Sequence, residues 1–293
     1  MERVAGAPIS WGVCEMPGWG PMLDPRRVLR EMTSLGLNAI EQGSPGFFPD
    51  DVGELREILD EFGVSVIADF VPLPLHDTAQ KAWALEKAER MAERLKSLGA
   101  TTFVTCAIKD PQWGDPHRMD EAELKVMADS LNRLEDICGE HGLVHTLHPH
   151  LSSMVEVAED VKRVADACDV KWTVDTGHLM LGGYDPMQFT KDLGDRVSHA
   201  HLKDVNLALA EKVISREMSL LEATEKDIFL PFGQGDVPIA DIVEHLESSG
   251  YRGWYVLERD TTLIGPEPIE GEGPVNDLRI CVEYMLSHFP SGF

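Results

Sequence analysis

The feature that most constrains this chain is a repeated alternation of short apolar runs with longer amphipathic segments, sustained from end to end. Eight runs of four to seven residues read as strands: Val4 to Ser10, Asn38 to Glu41, Val64 to Phe70, Thr101 to Ala107, Leu143 to His148, Lys171 to Asp175, Val197 to Leu202 and Trp254 to Glu258. Between and after them the pattern predicts helices over Pro25 to Leu35, Asp51 to Phe62, His76 to Leu98, Asp120 to His141, Val155 to Cys168, Pro186 to Leu193, Ile239 to Ser248 and Val275 to His288. Strands that alternate with helices pair in parallel, because a parallel partner needs a crossover long enough to hold a helix. Asp24-Pro25 and Asp185-Pro186 supply N-caps with a first-turn proline, and Gly36, Gly63, Gly99, Gly142 and Gly250 stand where a left-handed residue ends a helix. Eight such units predict an α/β fold, a single (β/α)8 barrel over residues 1–293.

Two segments break the rhythm. Residues 11–22, after the first strand, are rich in Gly, Pro and aromatic side chains. Residues 206–235, after the seventh strand, exceed an ordinary connector and read as a lid-like helical insertion, beginning as an amphipathic helix around Leu207 to Leu221.

Charge and cysteine usage narrow the partners. Acidic residues outnumber basic ones by 51 to 26, a formal charge of −25 that repels phosphate backbones, so nucleic acid is not expected. Five cysteines without a close pair fit a reducing compartment, and no uncharged apolar run is long enough to span a bilayer. The expectation is a soluble cytoplasmic protein with no membrane partner, acting on a small molecule; a homo-oligomer is compatible with it.

Chemistry enters at the strand ends. In such barrels the reactive groups gather at one mouth from the ends of several strands, so ligands recur at about one unit's spacing. From His148 to Asp175 is 27 residues and from Asp175 to His201 is 26; the 57 residues from His201 to Glu258 contain the insertion. These two imidazoles and two carboxylates read as one mononuclear metal site, a mixed nitrogen and oxygen set suited to transition metals rather than calcium. Taken singly, a strand-end Asp is a helix cap and a lone His a hydrogen-bonded core residue; the shared phase is what joins them.

Neighbouring residues extend the site. In His199-Ala-His201-Leu-Lys203-Asp204 the strand period points His199, His201 and Lys203 to one face, where Lys203 could polarise a substrate oxygen or act as acid or base. His178 and His150 are placed to meet substrate hydroxyls, and Glu41 and Asp69 close the second and third strands across the mouth. Trp11, Trp19 and Trp113 fall in post-strand loops, where flat faces suit a sugar or cyclitol ring. Gly233-Gln-Gly-Asp236 lacks a nearby basic residue and is assigned no phosphate site.

At these residues the chain resembles, over essentially its whole length, the xylose isomerase-like barrel superfamily of sugar phosphate isomerases and epimerases, and within it the inosose dehydratases. The resemblance is carried by Ala7-Pro-Ile-Ser-Trp-Gly12, Asp175-Thr-Gly-His178, His199-x-His-Leu-Lys-Asp-Val205 and the Gly-Tyr-x-Gly-Trp-x-Val-x-Glu run ending at Glu258. It implies one divalent ion, manganese or cobalt first and iron, zinc or magnesium as alternatives, held by His148, Asp175, His201 and Glu258. Two departures stand out. Many isomerases and epimerases of the superfamily carry a glutamate where His148 stands, and the dehydratases' His-His-His-Met-Gly-Thr run is His148-Pro-His150-Leu-Ser-Ser here.

The first departure bears on mechanism. Epimerisation needs two acid/base groups flanking one carbon, and a metal-bound His148 is poorly placed to be the second. One carboxylate base, Glu258, with an acid among Lys203, His178 and His150, suits β-elimination from a keto-cyclitol or keto-sugar through an enolate. The alternatives are an isomerase or ketose epimerase on the same site and a noncatalytic sugar-binding barrel. Abasic-DNA endonucleases share this barrel but use more metal ligands and a basic groove, which the charge opposes.

Overall fold

A computed structural model describes residues 2–289. In chain order its strands and α-helices are β1 (Val4–Gly6), α1 (Pro25–Ser34), β2 (Ala39–Glu41), α2 (Val52–Phe62), β3 (Ser65–Ala68), β4 (Phe70–Leu73), α3 (Lys81–Leu98), β5 (Thr102–Ala107), α4 (Glu121–Glu140), β6 (Val144–Leu147), α5 (Ala158–Ala167), β7 (Trp172–Asp175), α6 (Thr176–Leu181), α7 (Pro186–Leu193), β8 (Val197–Leu202), β9 (Asp204–Val205), α8 (Leu207–Ile214), α9 (Leu220–Thr224), β10 (Phe229–Leu230), α10 (Ile239–Ser248), β11 (Tyr255–Leu257) and α11 (Pro274–His288).

The main sheet runs β3-β2-β1-β11-β8-β7-β6-β5-β4, and its pairings are parallel. Its two ends, β3 and β4, are halves of one strand position separated by Asp69 alone. On one side Gln42 N donates to Ala68 O at 3.0 Å, and on the other Val104 N donates to Asp69 O at 3.0 Å. One broken strand thus joins both neighbours, and eight strand positions make the TIM-barrel ring.

Alternation within each strand separates two apolar layers. Ala5, Ala39, Ile67, Val104 and Val256 form a small cluster, while their strand neighbours Val4, Ile40, Val66, Phe103 and Tyr255 join the large layer with the helices. The same register leads into the strand-end histidines, since Val256 of that cluster pairs with His201, and β7 and β8 pair Asp175 with His201 and Thr173 with His199.

Local departures from the sequence reading have local causes. The first strand stops at Gly6, because Pro8 starts a 3-10 turn over Pro8–Trp11 that Gly12 closes at φ 77°. An unforeseen helix, α6, begins directly on Asp175, whose side chain caps it. The helix expected over 207 to 221 is broken: Arg216 takes φ 60°, and Ser219 opens α9 with a capping box to Glu222. The return through β10 pairs antiparallel with β9, and Asp204 fixes it by accepting Gly233 N at 2.8 Å and Gly235 N at 2.9 Å on Oδ2. The glycine turn at 233–235 therefore spends these amides on a carboxylate of its own chain. Among the described residues no helix is long and apolar enough to cross a membrane.

One buried ion pair ties two loops to α1. Glu31 accepts Trp11 Nε1 at 2.9 Å on Oε2, and Arg27 Nε at 3.0 Å and Gly271 N at 2.9 Å on Oε1. Removing Glu31 leaves the buried donors of Trp11 and Arg27 without their acceptor. Glu31→Ala should lose about 3 kcal/mol of stability in urea unfolding, and Glu31→Gln, which keeps an acceptor, should lose less.

Candidate active site

The carboxylate of Asp175 is divided between two tasks. Its Oδ1 accepts His178 N at 2.7 Å and caps α6, whereas Oδ2 faces His148 Nε2 at 3.1 Å, Lys203 Nζ at 3.0 Å and His201 Nδ1 at 3.5 Å. The cap that would explain a lone strand-end Asp holds the second oxygen in the mouth. Donor atoms of His148, Asp175 and His201 all lie within 4.8 Å of one another, and all three residues are buried. Glu258 enters from β11's end, with Oε2 at 3.2 Å from His201 Nδ1 and hydrogen-bonded to Lys203 Nζ.

His201 is oriented from behind. Its Nε2 lies 3.1 Å from Glu41 Oε1, which also meets His199 Nε2 at 2.8 Å. Glu41 is thereby occupied by two imidazoles. Burial opposes charge on His201, but Glu258 and Glu41 raise it well above the ordinary imidazole value, so the ring is a cation here, with Nδ1 toward Asp175 and Glu258. An imidazole whose far nitrogen is anchored to a carboxylate and whose near nitrogen faces two more has the orientation of a metal-ligating histidine, and a bound cation would take the place of the Nδ1 proton.

Charge in the pocket is strongly coupled. Burial alone would raise Asp175, Glu258 and Glu41, but Lys203 holds Asp175 well below its ordinary value, His201 and Lys203 lower Glu258, and His201 and His199 lower Glu41. Burial opposes the charge on Lys203, yet Asp175, Asp260 and Glu258 raise its pKa well above the ordinary lysine value. Asp260, 3.3 Å from Lys203 Nζ, is pushed up to about 6 by burial, which with Glu258 and Asp175 outweighs Lys203. It was not singled out from sequence, although it follows Glu258 by two positions. Asp69 is raised well above the usual carboxylate range by burial and by Glu41; its Oδ2 accepts Gln42 Nε2 at 3.1 Å and its Oδ1 is buried without a partner.

A second group of rings lines the same mouth. His150 and His178 pack at 3.7 Å between centroids, and His148 lies 5.5 Å from each. Burial, reinforced by His148, lowers His150 to about 3; burial and His150 take His178 well below the ordinary value. Both rings are neutral at neutral pH. His178 Nδ1 accepts Leu151 N at 3.4 Å, which leaves the proton on Nε2, and His150 Nδ1 donates to Leu151 O at 2.6 Å. Trp113, held at φ 55°, sets its ring 5.5 Å from His150 and 6.5 Å from Phe70. The other two post-strand tryptophans are engaged by the chain itself: Trp11 is fully buried on Glu31, and Trp19 donates Nε1 to Thr261 O at 2.7 Å.

Known proteins share this frame. The family model for the xylose isomerase-like TIM barrel matches residues 29–274. An inosose dehydratase of Geobacillus kaustophilus (strain HTA426) is 30% identical over 270 residues, covering 88% of this chain and 87% of that protein. Among solved structures, the IolI protein with a bound zinc atom superposes at TM-score 0.71 and 16% identity, covering 99% of both chains. The 3-keto-D-glucoside 4-epimerase YcjR from E. coli superposes at TM-score 0.67 and 17% identity, over 97% of this chain and 99% of its own. With the barrel, the strand-end residues and the matched span in agreement, this chain belongs to the xylose isomerase-like TIM barrel family.

Proposed function

We propose that this protein is a metal-dependent dehydratase of a keto-cyclitol or keto-sugar, with His148, Asp175, His201 and Glu258 holding one divalent ion. The observation that carries the reading is the gathering of His148, Asp175 and His201 donor atoms within 4.8 Å, with Glu258 and Lys203 at the same point. Two imidazoles and two carboxylates, one imidazole anchored by Glu41, fit manganese or cobalt, with iron, zinc and magnesium as alternatives. Such an ion, when bound, polarises the substrate carbonyl and so acidifies the adjacent carbon.

The chain's own residues divide the remaining work. Glu258, ionised and facing the mouth, takes the α-proton. Breaking the β C–O bond then needs a proton on the departing oxygen so that it leaves as water. Of Lys203, His178 and His150, only Lys203 is held in the protonated form at neutral pH, because the imidazoles are pushed down and the amine is pulled up. Lys203 is therefore the acid, and Asp260 the carboxyl beside it. His178 Nε2–H is a donor that orients the leaving hydroxyl. His150 and Trp113 supply ring faces against the substrate, and Glu41 and His199 act from behind by fixing His201.

Support for elimination over epimerisation comes from the same geometry. Glu41, the carboxylate across the ring, is committed to His199 and His201 and is not free to serve as a second base. The similarity to an inosose dehydratase favours elimination as well. An isomerase or epimerase on the same site remains the competing reading, favoured by solvent-deuterium exchange and sugar interconversion without an unsaturated product.

Incubation with keto-inositols and oxidised glycosides, followed by NMR, should give an unsaturated ketone; chelation should abolish turnover and manganese or cobalt should restore it. Glu258→Gln should lower kcat about 10²- to 10⁴-fold. Glu41→Gln should weaken metal affinity about 10- to 100-fold in chelator competition while the fold persists. Ligand binding without metal-dependent turnover would make the chain a sugar-binding barrel instead.

A further inference from the structure

Away from the four strand-end ligands, three side chains from three different segments meet at the edge of a cavity of about 390 Å³. His76 lies in the connection between β4 and α3, His117 in the connection between β5 and α4, and Glu123 in the first turn of α4. One donor atom from each lies within 4.8 Å of the other two. His117 Nε2 stands 2.8 Å from Glu123 Oε1, and the His76 and His117 rings cross edge to face at 5.7 Å.

Two details separate this cluster from an ordinary surface ion pair. His76 is only 5% exposed, and its Nδ1 is buried with no hydrogen-bond partner. Burial lowers its pKa against the pull of Glu123, so the ring is neutral and its lone pair available. Glu123 is fixed from the other side: Oε2 accepts Asp120 N at 2.9 Å in the capping box of α4, which leaves Oε1 to face His117. The local charge favours a cation over an anion, since Asp77, Asp110 and Glu123 line the cavity against Lys109 alone.

We propose that His76, His117 and Glu123 form a second site for a divalent transition metal of the zinc and cobalt class, independent of the barrel-mouth ion. Two imidazoles, one carboxylate and an open cavity side give three protein ligands with a position for water, a set such metals accept. The cation bridges the β4–α3 and β5–α4 connections. The second of these carries Trp113 to Phe70 and His150, so the metal fastens the loop that brings an aromatic ring to the mouth.

The test is cobalt(II) titration of the full chain, following ligand-field absorption and bound equivalents after desalting. Wild type should take two equivalents, and His117→Ala, at an exposed position, should take one. His148→Ala/His201→Ala should keep one equivalent, with its spectrum, and a further His117→Ala change should remove it. Thermal unfolding in cobalt should show a smaller metal-induced rise for His117→Ala and His76→Asn than for wild type. If the barrel reading fails alone, wild type takes a single equivalent that His117→Ala abolishes. The proposal is overturned if His117→Ala and His76→Asn match wild type in stoichiometry and spectrum, or if the barrel-site double variant folds and binds no cobalt.

Discussion

The site depends on a charge balance in a place with almost no water. Asp175, Glu258 and Glu41 are buried carboxylates, and such groups are tolerated only when paired and hydrogen-bonded. Lys203 and His201 provide that pairing, and each is itself held charged by the acids it neutralises. The cluster works as a unit. Its cost is met by the barrel, which brings strand ends from opposite sides of the sequence into one ring and holds them there with helices outside. Asp69, at the break where β3 gives way to β4, is part of that closure and also reaches Gln42.

This balance links architecture to chemistry. A cation among His148, Asp175, His201 and Glu258 would share the carboxylates with Lys203, easing the pull that keeps the amine protonated. An amine so relieved is a better proton donor than one locked between acids. The neutral pair His150 and His178 lies beside this charged center, with opposite tautomers set by the two backbone atoms of Leu151. A polyol presented there would meet one donor and one acceptor from the two rings.

Much of this frame is legible in the sequence. The eight-unit rhythm implied a barrel, and the 27- and 26-residue spacings singled out His148, Asp175 and His201, whose donors do gather. What was not readable follows from tertiary packing. Nothing in sequence says that Glu41 would serve two histidines, since residues 158 and 160 positions apart share no local pattern. Trp11 looked available in its loop because the sequence does not show Glu31 beneath it. Asp260 carries no signal of its own in the sequence; its contact with Lys203 is made between the neighbouring strand ends of β11 and β8. The His76, His117 and Glu123 group has no period at all, being assembled from two loops and a helix start.

The most direct test of the central claim is anomalous X-ray scattering from crystals grown with manganese, with the barrel mouth free of substrate. The account predicts a peak within coordination distance of His148 Nε2, an Asp175 oxygen, His201 Nδ1 and a Glu258 oxygen. A fully metal-loaded crystal with no peak among those four groups, and with Lys203 still bridging Asp175 and Glu258, would contradict it.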